Sequence, residues 1–358
     1  MPTRPSIRSR YRGCLAGGAV GDALGAPVES MSLAEIRRAF GPGGIADYAP
    51  AYGRIGAITD DTQMTLWTAE GLLRGHCRGE SRGIVHLPGM VRRAYLRWLR
   101  TQGESSRDEA FASCADPECP GWLVGAKDLH ARRGPGNTCL AALKSPGEGT
   151  MENPKNDSKG CGGVMRVAPA GLHEPHPPRA FQLGCEIAAL THGHPAGYLA
   201  SGCLAALIAS LVQGNGLRAA VDEALSLLAA APRSEETAAC VGRALALSDG
   251  GADPGPETVE RIGRGWVAEE ALAIAIYCAL AHPRDFRRAV LLAVNHSGDS
   301  DSTGAIAGNI SGAHLGAGAI PPGWIERLEL REEILAIADD LRIRYRDDDA
   351  WRTRYPGA

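Results

Sequence analysis

Apolar residues return at three- and four-residue intervals along most of the chain, while strict alternation of apolar and polar positions never persists beyond a few residues. That rhythm predicts helices over roughly 10–25, 59–75, 88–102, 178–191, 195–213, 216–231, 234–248, 266–281, 284–296, 301–317 and 329–345. The expectation is an all-α protein of about a dozen helices. No Pro-, Gly- or Ser-rich linker separates two self-sufficient halves, so residues 1–358 are read as one compact domain. Three irregular stretches interrupt the pattern: Gly41 to Ile58, Glu104 to Asn137 and Lys144 to Gly163. Long loops in a compact domain are usually functional. The first and third are expected to border a site, and 104–137 to be a lid or an adaptable insertion.

One finer regularity lies inside two of these helices. Gly13, Gly17, Gly21 and Gly25 recur every four residues, as do Gly304, Gly308, Gly312 and Gly316. Four-residue spacing lines each set along one side of a helix. Interior glycine costs a helix ~1 kcal/mol relative to alanine, so the repeat needs a compensation. Close helix–helix packing is the first reading, and close approach of a ligand the second.

Composition narrows the function. Lys and Arg number 38 against 41 Asp and Glu, a net charge of -3, so no basic field exists to hold a polyanion, and a stable nucleic-acid complex is not expected. Aromatics are 5% of residues, which leaves the core to Ala, Leu, Ile and Val. The first residues show no apolar core followed by a cleavage signal, so a cytoplasmic protein is expected. The longest apolar stretch, Leu199 to Val212, is broken by Ser201, Gly202 and Ser210 and falls short of the roughly 20 residues a bilayer demands. It reads as a buried helix, with no membrane partner. Ten cysteines occur without a CxxC pair, which suggests neither a zinc ribbon nor a disulfide framework. Cys114 and Cys119, the nearest pair, are not expected to form a thiol site.

Two acidic motifs carry the chemistry. Thr59-Asp60-Asp61-Thr62 opens one helical pattern, and Asp299-Ser300-Asp301-Ser302-Thr303 opens another at the far end of the chain. Capping of free N–H groups explains one or two such residues per helix start. Four carboxylates brought together would repel unless cations sat between them. Every candidate ligand is oxygen, so the expected metal is hard, Mg²⁺ or Mn²⁺ rather than Zn²⁺. Two ions ~3.5–4 Å apart would suit the carboxylate count. Glu29 follows the glycine helix, and Asp22 within it would cap, ligate or line the pocket.

Asn156 to Arg166 form a glycine-rich loop before an apolar helical stretch. Such glycines expose N–H groups to phosphate, or else serve a turn that needs positive φ. His192 and His194 lie between two helices, where a cap or a satisfied polar residue is the ordinary reading. His296, three residues before Asp299, is placed as an outer partner of the acidic motif.

The set GDALGAPVE (21–29), TDDT (59–62), KGCGGVMR (159–166), THGHPAGY (191–198) and SGDSDSTGAIAG (297–308) resembles the ADP-ribosylglycohydrolase family, in order, from about residue 10 to 326. That family includes the dinitrogenase-reductase activating glycohydrolases and the ADP-ribosyl-acceptor hydrolases. The resemblance implies an all-α, mainly orthogonal helical fold with two Mg²⁺ or Mn²⁺ at the base of an ADP-ribose cleft. It implies Thr59, Asp60, Asp61, Asp299, Asp301 and Ser302 as metal ligands, with Glu29, Asp60 and Asp301 as the catalytic groups. Ser158, Gly160, Cys161, Gly162 and Gly163 match the loop that holds diphosphate and ribose, and His192 matches a histidine beside the adenosine.

The implied reaction is hydrolysis of the C1″ glycosidic bond of an ADP-ribosylated protein, nucleic acid or small molecule, releasing ADP-ribose. The alternative is a relative that binds ADP-ribose without turnover. A helical prenyl-diphosphate synthase also uses Asp-rich motifs, but its DDxxD spacing is missing from Asp60-Asp61-Thr62-Gln63-Met64. Two departures from the family stand out. Some relatives carry an adenine-stacking aromatic where Lys159 stands. Arginine-specific relatives carry an aspartate in the loop that here reads Arg133-Gly134-Pro135-Gly136-Asn137-Thr138.

Overall fold

A computed structural model describes residues 4–114, 121–251 and 253–357. Cys119, and part of the 104–137 stretch, lie outside the described residues. Eighteen α-helices, four short 3₁₀ helices and one two-stranded hairpin, Pro50–Ala51 with Arg54–Ile55, make up the regular structure among them. The all-α expectation therefore holds.

More helices form than the periodicity predicts, because the additional ones are short. Leu33–Phe40 buries only Leu33 and Ile36, too little for a periodic signal, and is started instead by a capping box between Ser32 and Glu35. Glu109–Ser113, Ala168–His173, Pro256–Glu260, Pro322–Arg327 and Asp349–Arg354 are five or six residues each. The N-terminal helix begins at Ile7, three residues before the expected start, because Ser6 accepts a hydrogen bond from Ser9 N and caps it there.

The glycine repeat is a packing device. The Ile7–Gly25 helix runs antiparallel along the Ser300–Leu315 helix, with Gly13 against Gly312, Gly17 against Gly308 and Gly21 against Gly304. A methyl on Gly13, Gly17 or Gly21 would lie 2.3, 2.4 or 1.9 Å from the carbonyl oxygen opposite. No side chain fits. The last contact pairs Gly25 with Ser300 and Asp301, which delivers the end of the first helix to the second acidic motif.

One continuous apolar core runs from Tyr11 to Tyr355. At its centre lies Pro195–Val212, long and apolar enough to cross a membrane by length and composition yet 94% buried inside the protein. Every residue of that helix is buried, as expected of a core helix. The nine described cysteines are all free thiols.

Candidate active site

The helix Asp60–Arg82 starts where it does because three groups hold its first turn. Thr59 caps it, accepting from Asp61 N at 3.2 Å. Asp22, from the glycine helix, accepts from Thr59 N at 3.0 Å and from both the amide and the hydroxyl of Thr62. Of the roles open to Asp22, capping is the one realised. The chain entering the motif is pinned from the far end of the sequence: buried Glu329 accepts from Ile58 N at 3.0 Å and pairs with Arg133 at 3.0 Å and with Arg54. The Arg133 carbonyl accepts from Asp60 N at 2.9 Å.

Asp299 opens the other helix, accepting from Ser302 N at 3.4 Å, while Asp301 Oδ1 accepts from the same amide at 3.1 Å. His296 sits behind this motif and touches no carboxylate. Its Nε2 lies 2.9 Å from Thr303 Oγ1, which donates within the same helical turn.

The two acidic motifs meet. Glu29, Asp60, Asp61, Asp299, Asp301 and Ser302 line one pocket of ≈ 210 Å³ together with Gly160, Cys161, Gly162 and His192. A larger cavity of ≈ 930 Å³ lies under the C-terminal helix among Trp122, Arg346, Trp351 and Arg354, and none of the motif residues reaches it. Chemistry, not size, places the site in the smaller one. Three expected residues stay off its surface. Thr59 is fully buried beneath it, Ser158 turns its hydroxyl to Gly160 N and Thr138, and Gly163 packs against Ala188 and Ser201.

The electrostatics show strain. Burial first, and the charge of Asp301 second, hold the carboxyls of Asp60, Asp61 and Asp299 well above the usual range. The same two causes push Glu29 up to about 7, and burial raises Asp301 itself. Asp61 Oδ1 is buried with no hydrogen-bond partner. An all-oxygen donor set, mutually repelling acids and an orphaned carboxylate oxygen are what a hard divalent cation would satisfy. Among the described residues no three His, Cys, Asp or Glu side chains close a preformed cage, so the donors share a pocket rather than a finished coordination sphere.

The glycine loop departs from expectation. None of Gly160, Gly162 and Gly163 has positive φ, so the turn reading fails. The amides of Gly160 and Cys161 are already spent, on Ser158 Oγ and on the Trp266 carbonyl. What requires glycine is proximity: a Cβ on Gly162 would lie 2.9 Å from both Cys139 Sγ and His192 Cε1. Cys161 donates from Sγ to Asp299 Oδ2 at 2.8 Å, tying the loop to the acids. Lys159 turns away to pair with Glu236 and, at 2.7 Å, with Glu269.

The end of the 104–137 stretch forms a wall of the site, since Gly134, Gly136 and Asn137 line the pocket and Gly136 N donates to Asp60 Oδ2 at 3.3 Å. Sequence reasoning also missed Trp266. Its indole is 42% exposed on the pocket rim, and only a large apolar residue standing before an apolar helix hints at it.

The all-α fold thus brings two distant acidic helix starts to one glycine-walled pocket. The family model for ADP-ribosylglycohydrolase matches residues 3–350, and the chain belongs to that family. It is 27% identical to the ADP-ribosyl-[dinitrogen reductase] glycohydrolase of Rhodospirillum rubrum, over 92% of this chain and 94% of that one. It is 25% identical to the ADP-ribosylarginine hydrolase Tri1 of Serratia proteamaculans, over 95% and 81%. A solved structure titled an ADP-ribosylglycohydrolase-related protein complex superposes with a TM-score of 0.63 at 29% identity, covering 95% of this chain and 99% of that one.

Proposed function

We propose that this chain hydrolyses the C1″ glycosidic bond of an ADP-ribosylated acceptor and releases ADP-ribose. The observation that carries the reading is the meeting of Asp60 and Asp61 with Asp299 and Asp301 beside Glu29 in one pocket. Thr59, Asp60, Asp61, Asp299, Asp301 and Ser302 would hold two Mg²⁺ or Mn²⁺, Thr59 from beneath the pocket and the others from its lining. Bound cations supply the positive charge that offsets the acids and the Lewis acidity that makes water a nucleophile near neutral pH.

The chain's own residues do the rest. The glycine wall lets a sugar and diphosphate approach the backbone closely. Glu29, only partly buried and with a carboxyl near neutrality, takes the proton of the attacking water as its oxygen bonds to C1″ and the bond to the acceptor breaks. Glu29 then gives that proton to the leaving acceptor, so water is added across the bond with no net change in charge. Trp266 supplies the aromatic face that Lys159, committed to two glutamates, does not.

The acceptor is an ADP-ribosylated protein, with nucleic acid or a small molecule as further candidates. The name of the Serratia proteamaculans relative specifies ADP-ribosylarginine, but residues 133–138 here contain no carboxylate to meet a guanidinium. A panel of substrates differing only in linkage, assayed with Mg²⁺, Mn²⁺ and chelator, tests the reading. ADP-ribose release from at least one, abolished by chelator, is expected. Tight ADP-ribose binding with no release from any linkage would leave a binding protein instead.

A further inference from the structure

Arg166 is fully buried and, among the described residues, has no carboxylate partner. Its guanidinium lies 4.4 Å from the Tyr95 ring centre, and its Nη1 reaches Cys139 Sγ at 3.2 Å. Its strongest contact is Nη2 to Thr191 Oγ1 at 2.7 Å. A guanidinium only donates, so the Thr191 oxygen accepts and its own proton is left to give. Two neighbours compete for that proton: the weakly accepting Cys139 sulfur and His192 Nδ1, 2.8 Å from Thr191 Oγ1. An imidazole nitrogen is much the better acceptor.

With Nδ1 occupied as an acceptor, the ring proton must sit on Nε2. That nitrogen has no protein acceptor among the described residues and faces the glycine wall, 3.2 Å from where a Cβ on Gly162 would stand. His192 lines the pocket. We propose that Arg166 and Thr191 form a relay that locks His192 as its Nε2–H tautomer, making it a fixed hydrogen-bond donor to an acceptor oxygen of the bound ligand. Burial, and then the charge of Arg166, push the His192 ring down to about 3, so it stays neutral in the pocket and moves no proton. Arg166 and Thr191 are thus positioning residues. The ligand half of this inference rests on the ADP-ribose reading; the tautomer half does not.

The test separates the two. In protein labelled with ¹⁵N-histidine, with the His192 signal assigned through His192→Gln, long-range ¹H–¹⁵N spectra should show a protonated, pyrrole-type Nε2 and a bare, pyridine-type Nδ1. A proton on Nδ1, or a mixture of tautomers in the wild type, overturns the lock. Thr191→Val should release the ring to a tautomer mixture and weaken ADP-ribose binding about five- to tenfold by calorimetry, and Thr191→Ser should restore both. An unchanged spectrum in Thr191→Val overturns the relay, and a changed spectrum with unchanged affinity overturns the donor role. Wild type with the expected spectrum but no affinity for ADP-ribose would sink the functional reading and leave the lock standing.

Discussion

Gly21 and Gly304 stand so close that a methyl on Gly21 would sit 1.9 Å from the Gly304 carbonyl oxygen, and one on Gly304 would sit 2.5 Å from that of Gly21. This approach fixes how far the first helix slides along the second, and the Gly21–Gly25 end of that register carries chemistry. Asp22, next to Gly21, reaches across to cap the Asp60 helix. Beyond Gly25, the chain turns with Ser30 N donating to Gly298 O at 3.0 Å, which sets Glu29 beside Asp301.

Gly21→Ala and Gly304→Ala should therefore lower the melting temperature by roughly 1–4 °C, since overpacking costs about 1–3 kcal/mol and a chain of this length shifts by only about 1.3 °C per kcal/mol. Helix propensity alone predicts the opposite sign, a gain of ~1 kcal/mol per substitution. Gly43, with open space around its Cβ position, is the control and should shift by no more than about 1 °C. Thermal scans of the three variants decide between packing and propensity, because a stabilised Gly21→Ala protein would refute the zipper.

The long helices and the acidic motifs were legible in the sequence because each repeats a local rule many times or places like charges within one turn. Asp60 and Asp301 line one pocket as the two motifs led one to expect, and Glu29 joins them there as only the family resemblance implied. What stayed hidden depended on single long-range contacts. Nothing near Glu329 signals that it will anchor Arg133 and the entry to Thr59, almost two hundred residues away in the case of Arg133. Likewise the Gly162 position reads as a flexible turn until Cys139 and His192 are seen pressed against it. From the sequence Thr59 is offered as a cap and, through the family resemblance, as a ligand; the cap is seen in the hydrogen bond it accepts from Asp61 N.

Asp61 should behave as a residue kept for function at the expense of stability. Burial and the charge of Asp301 raise its carboxyl. A carboxyl raised in the folded state is harmless below the unfolded value of about 3.9 and increasingly destabilising as pH climbs toward its folded value. In chelator, Asp61→Asn should thus be more stable than wild type by about 1–2 kcal/mol at pH 7.5 and no more stable at pH 4. Adding Mn²⁺ should stabilise wild type and not the variant, and ADP-ribose release should be lost. Equal Mn²⁺ stabilisation of both proteins would remove Asp61 from the ligand set.

His173 predicts an opposite slope. It is buried edge-on to His76 with ring centres 5.5 Å apart, its Nδ1 has no partner, and burial followed by the charges of His76 and Arg344 pushes it down to about 3. The folded ring stays neutral while the unfolded one gains a proton below pH ~6.5, so its contribution is intact above that pH and is lost as pH falls toward 3. Relative to His173→Phe, wild type should lose up to about 1.4 kcal/mol per pH unit below 6.5. Urea unfolding of both proteins at pH 7.5, 6 and 5 measures this, and the acidic cluster, common to both, cancels in the difference.

Trp266 offers the sharpest check on what the pocket binds. Its carbonyl accepts from Cys161 N at 3.1 Å, and Val267 pairs with Gly160, so the backbone that carries the partly exposed indole is tied to the glycine wall. A large aromatic at a pocket rim presents a flat apolar face on which a planar ligand group can stack. Stacking of a base on such a face is worth ~1–3 kcal/mol. Trp266→Ala should accordingly weaken ADP-ribose binding by about five- to a hundredfold, and Trp266→Phe by much less. Ribose 5-phosphate, which has no base, should bind both variants as it binds wild type. Calorimetry with the two ligands makes the distinction: equal losses would mean that the indole shapes the pocket, whereas a loss confined to ADP-ribose would mean that it holds the adenine.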